Sequence, residues 1–237
     1  MVVRNESLSY DQMSSNKVLG GCKTIPKIES IEELNFFNPE NIQFSIDLVT
    51  EAQKSTDFLH KIEKDYPMLY EDAYAINAIK RYEQYWLPLQ AKFHQTSIFT
   101  PPLDVHWAWH CHMLAPVQYR IDCEKLIGFV PDHEYASNPN STDIWNQYCT
   151  GREPYDFLIS NPNRDTKFVS KFGYDILAAM QRQRSFNYQV CLPHYADGKF
   201  LNAAVDRYRK FLHLARVCPG VTLMPSYDID LIWHCRQ

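Results

Sequence analysis

Apolar and aromatic side chains recur along this chain at intervals of three and four, the spacing that lines one face of a helix. Phe44, Ile46, Leu48, Ala52, Phe58, Leu59 and Ile62 predict a first helix that starts near residue 38 or 41 and stops at Tyr66-Pro67. Tyr70, Ala73, Tyr74, Ile76, Ala78, Ile79, Tyr82, Tyr85 and Trp86 predict a second over residues 69–93, with Pro88 ending or kinking it. After two prolines, Asp104 is placed to cap a third helix that runs through Val105, Trp107, Ala108, Cys111, His112, Leu114 and Ala115 to Pro116. A further helix over 117–127 ends at Gly128. Prolines, asparagines, aspartates and serines mark 131–162 as a long connection with a short helix at 142–149, and helical spacing returns at 167–183 and 199–217. Residues 1–37 lack periodicity and read as a flexible lead, leaving 38–237 as a single all-α domain.

One pattern is written twice. DVHWAWHCHM, at 104–113, returns as DIDLIWHCRQ at 228–237, so that Asp104, Trp109, His110 and Cys111 correspond to Asp228, Trp233, His234 and Cys235. Each copy follows a proline, and upstream of each stands a similar helix, RYEQYWLPL at 81–89 and RYRKFLHLA at 207–215. The unit is a long helix, a loop with proline and an Asp-capped helix carrying Trp-His. The halves fall at about 67–130 and 195–237, the second truncated, and such repeats cover one another's apolar faces.

Composition narrows what the repeat can be for. The formal charge of −4, with no basic block, argues against direct nucleic-acid binding. No stretch approaches the length of a membrane span, and the polar start lacks the apolar run of a secretory signal. Seven scattered cysteines form no C-x-x-C, which fits free thiols and predicts a cytoplasmic setting. The chain has no G-x-S-x-G, G-x-G-x-x-G or G-x-x-x-x-G-K motif.

With both copies in view, the chain resembles the glycine-rich domain-containing protein family, whose N-terminal region repeats D-x-D-x-x-W-H-x-H-x-L-x-P-x-x-Y. The first copy matches at Asp104, Trp109, His110, His112, Leu114, Pro116 and Tyr119, continues with the family-like Asp122-Cys123, and departs at His106, where aspartate is more usual. The second matches at Asp228, Asp230, Trp233 and His234, with Arg236 in place of the second histidine. The resemblance implies a helical region of a protein tied to development and to osmotic and abscisic acid responses. The family's glycine-rich tail is not in this sequence.

Two physical readings of the motif remain open. His106 and His110 stand four apart, as do Asp230 and His234, so each pair shares a helix face. If the two helices paired about a pseudo-twofold axis, three imidazoles and a carboxylate would suit zinc, copper or iron. His112, about 200° round the helix from His110, would need extended backbone to join them. Alternatively the aspartates are N-caps, the tryptophans core, and the histidines buried and neutral. The aromatic load, 14% of the chain, and the absence of a catalytic motif favour a helical scaffold or regulatory module acting through a protein partner. The metal-binding or metal-dependent alternative uses His106, His110, His112, Asp230 and His234.

Overall fold

The computed structural model describes residues 39–93, 99–133, 138–149, 152–160, 167–218 and 220–236, so the lead at 1–37 lies outside the described residues. Helices are the only extended regular elements among them, as the periodicity predicts. They are α1 (Leu48–Asp65), α2 (Asp72–Arg81), α3 (Leu87–Phe93), α4 (Leu103–Met113), α5 (Pro116–Ile127), α6 (Ser141–Tyr148), α7 (Ile176–Val190), α8 (Gly198–Val217) and α9 (Tyr227–Arg236).

Local chemistry sets the boundaries and explains where the sequence reading slips. α1 starts at Leu48 rather than near 38 or 41 because Asp47 caps it, its Oδ1 accepting the Val49 and Thr50 N–H groups. α7 starts at Ile176 rather than 167 for the same reason: Asp175 accepts from Ala178, and residues 168–172 before it belong to no helix. Gly128 ends α5 in the left-handed conformation, φ 85°, as expected. Pro88 neither ends nor breaks its helix. A π-helical turn, Tyr82–Trp86, joins α2 to α3. Pro88 has no N–H to donate to the preceding turn, and a widened turn is a known way to accommodate such a mismatch. Tyr82, Glu83 and Trp86 in that turn are all buried.

The described residues gather into two compact units. The first runs from Ile62 to Ser185, and its core holds Leu69, Ala78, Tyr82, Trp86, Trp107, Trp145 and Met180. The second combines residues 39–61 with 186–236, around Ala52, Leu59, Val190, Leu201, Tyr208, Leu231 and Ile232. Much of the aromatic load is therefore core.

The duplication reaches further back than the motif. Phe44-x-x-Asp47-Leu48 corresponds to Phe172-x-x-Asp175-Ile176, each aspartate capping the helix that follows. The leading phenylalanines are exchanged: Phe172 stacks on Tyr82 of the first copy at 5.2 Å, and Phe44 stacks on Tyr208 of the second at 5.6 Å. Each unit thus joins the lead of one repeat to the motif of the other.

Candidate functional site

The motif aspartates are where the sequence reading needs its main correction. Neither helix is capped by its motif aspartate. Pro102 holds the N-cap position of α4 without a side-chain bond, and Asp104 lies inside the first turn. Its carboxylate faces Arg81 of the upstream RY pair, Oδ2 2.7 Å from Nε. Arg81 is fully buried and also meets Glu153 at 3.3 Å, donates to the Pro154 and Tyr155 carbonyls, and lies over the Trp145 ring. In the second copy Arg207, the counterpart of Arg81, pairs with Asp228, the counterpart of Asp104, and Ser226 Oγ donates to the same carboxylate at 2.5 Å. The repeated arginine and the repeated aspartate are one device used twice.

Burial separates the two copies. Asp104 is 1% exposed, and desolvation pushes its carboxyl up against the opposing pull of Arg81. Burial also pushes Asp228 up, but hydrogen bonds from Ser226 and Arg207 outweigh it and hold the group below its ordinary value. The Arg207 side chain is 40% exposed, so its pair is partly screened by water.

The tyrosine after each arginine is matched as well. Tyr82 Oη lies 3.1 Å from His112 Nδ1, while Tyr208 Oη accepts from Arg236 at 3.1 Å. Arg236 therefore takes the structural place of His112 by reaching the equivalent tyrosine. His112 is wholly buried, with Nε2 3.3 Å from Asp122 Oδ2, and that carboxylate also accepts from Gly173 N and Gln118. Burial lowers the His112 pKa against the Asp122 charge. Burial raises Asp122, yet the bonds from His112, Gly173 and Gln118 together hold it below its ordinary value. A Cβ on Gly173 would meet Gln118 Nε2 at 2.5 Å, so glycine lets the chain approach Asp122 closely.

The remaining candidates are divided. His110 is buried and stacks on Trp107. His106 Nε2 lies 2.7 Å from Nε2 of His133, a residue of the 131–133 connection that the sequence did not single out. His234 Nε2 lies 3.6 Å from Asp230 Oδ1, too long for a hydrogen bond. His106, His110 and His112 belong to the first unit, and Asp230 and His234 to the second. Among the described residues no group of three or more His, Cys, Asp or Glu side chains is placed to hold a metal ion. Trp109 donates to Tyr119 Oη, whereas Trp233 is only half-buried.

Burial keeps four of these imidazoles neutral: it pushes His106 well down, lowers His112, and takes His133 to about 4 and His234 to about 3. Unfolding would let each take a proton below its ordinary value of roughly 6.5, so stability falls as pH drops, by up to about 1.4 kcal/mol per pH unit for each such group. Asp230 opposes this: pushed up to about 7 by burial, it holds a proton when folded, and that contribution is lost as pH rises to about 7. Asp104, also pushed up by burial, acts in the same direction as Asp230, but the four imidazoles together with the lowered carboxyls of Asp122 and Asp228 outweigh the two, so the melting temperature should fall between pH 6.5 and 4.5. Scanning calorimetry of the wild type beside His133→Gln should show a shallower fall in the variant.

Helical elements carrying a duplicated Arg–Asp pair and a duplicated contact to the tyrosine beside it define a repeat protein. The chain belongs to the glycine-rich domain-containing protein-like family, whose sequence model matches twice, over residues 23–122 and 118–237. It is 36% identical over 230 residues to glycine-rich domain-containing protein 2 of Arabidopsis thaliana, and 32% identical over 231 residues to glycine-rich domain-containing protein 1 of the same plant. Each match covers 88% of this chain but only 29% and 28% of the relatives, so the chain corresponds to under a third of their length. No solved structure matches it significantly.

Proposed function

We propose that this chain is a helical scaffold or regulatory module that acts by binding a protein partner in the cytoplasm. The motif's ionisable side chains are largely buried and engaged with one another, which leaves the outer surface to meet other molecules. The observation that carries the reading is a surface of the first unit. A cleft of about 390 Å³ lies beside α2 and the start of α7, with Ile76, Phe168, Ile176 and Leu177 in its wall. Burial alternates along residues 167–172, with Phe168, Ser170 and Phe172 more covered and Lys167, Val169 and Lys171 exposed, and Glu83 accepts from Ser170 Oγ and Lys171 N to fix the segment. Val169 is 83% exposed and Ile159 75%.

An exposed valine between two exposed lysines, beside an apolar cleft, suits an acidic protein segment that carries an apolar side chain. No described helix is long and apolar enough to cross a membrane, and the basic face that nucleic acid needs is missing from the sequence. Affinity capture with the intact chain, repeated with Val169→Glu, tests this. A partner bound by the wild type should be weakened at least about tenfold by the added charge, with the melting temperature unchanged. Equal capture by both, or none above background in several buffers, would count against the reading.

A further inference from the structure

The His106–His133 pair belongs to neither repeat device. His106 stands where the second copy has Asp230, and His133 comes from the connection that follows α5. The two Nε2 atoms point at one another across 2.7 Å, and the ring centroids are 5.0 Å apart. The edge of Trp109 closes on His133, with centroids 4.9 Å apart. Trp109 is itself fixed by Tyr119, whose hydroxyl donates to the Pro131 carbonyl and so anchors the same connection to the helix layer. His106 is 8% exposed. Two imidazole nitrogens are thus aimed at one point beside the Trp109 ring.

We propose that His106 and His133 form a two-coordinate site for a cuprous ion. Both rings are neutral at pH 7, since burial drives both pKa values down, so neither needs to lose charge to become a ligand. The ring that donates in the free pair moves its proton from Nε2 to Nδ1, so both Nε2 lone pairs face the ion and no proton is lost overall. No third His, Cys, Asp or Glu among the described residues completes a site with them, which disfavours ions that need four protein ligands. With only neutral ligands a dication would keep its full charge inside, and the cost of burying charge rises steeply with that charge. A monovalent, soft, d¹⁰ ion accepts two imidazoles and carries half that charge. Bonds of about 2.0 Å would part the nitrogens to about 4 Å. That separation needs a shift of His133, whose backbone lies in no helix.

This inference does not rest on the partner-binding reading. Its test is titration of the intact chain with reduced copper, without oxygen and against bicinchoninate. Because free thiols also take cuprous ion, the readout is the difference between proteins. Wild type should hold ~1 equivalent more copper than His133→Gln or His106→Asp, while His234→Ala holds as much as wild type. Its X-ray absorption should show a nitrogen-ligated copper that both variants lack. Circular dichroism checks that the variants are folded, and His106→Asp installs the residue the second copy already carries. Equal copper in wild type and both folded variants, or copper bound by sulfur alone, would overturn the proposal.

Discussion

Arg81→Ala is expected to lower stability by about 3–5 kcal/mol, the cost of stripping one partner from a buried ion pair. Arg81 is the only positive group within ion-pair distance of Asp104 among the described ion pairs, and it also faces Glu153 and two backbone carbonyls. Truncation leaves Asp104, 1% exposed, as an uncompensated charge in low dielectric. Glu153 keeps Lys80, 3.9 Å away, so the larger part of the penalty falls on Asp104. For a chain of this length that loss is a fall in melting temperature on the order of 10 °C. Arg207→Ala removes the same residue type from the same place in the second copy. There the arginine is 40% exposed, and the expected cost is below about 1 kcal/mol. Thermal denaturation of the two variants side by side checks the contrast.

Removing residues 226–237 should have an effect of similar size. α9 packs on α8, and Leu231 and Ile232 are fully buried. Losing such a side chain from a core typically costs about 2–5 kcal/mol. Deletion would also uncover part of α8, remove the Arg236 bond to Tyr208 and free Arg207 from Asp228. The truncated protein should lose more helical signal than the deleted helix accounts for and melt on the order of 10 °C lower. Trp233 contributes less than its counterpart Trp109, because it is only half-buried while Trp109 is 2% exposed. An unchanged melting curve would show that the second motif adds nothing to its unit.

The periodicity gave the helices, the Gly128 stop and the duplication, because apolar spacing and left-handed caps are local properties. What escaped it was non-local. RY was visible at 81–82 and 207–208, yet nothing local says that Arg81 reaches Asp104 rather than water, so the aspartates read as caps. Phe44-x-x-Asp47 and Phe172-x-x-Asp175 are also written in the chain. Their exchange between copies, Phe172 on Tyr82 and Phe44 on Tyr208, depends on packing between residues far apart in sequence, which no local pattern records. His133 was hidden in a proline-rich connection with no periodic signal. Among the histidines, His112 turns to Tyr82 and Asp122, partners that lie 30 positions upstream and 10 downstream and that helical spacing does not single out.

In both copies the motif aspartate serves the upstream arginine. A double-mutant cycle with Arg81→Met, Asp104→Leu and the two combined measures this directly. Arg81→Met leaves the Asp104 carboxylate buried alone and Asp104→Leu leaves Arg81 with Glu153 as its remaining charged partner among the described ion pairs, whereas the double replaces the Arg81–Asp104 pair by apolar groups of similar length. The double variant should therefore be more stable than either single, with a coupling of roughly 2–4 kcal/mol in urea unfolding. Losses that simply add would contradict it.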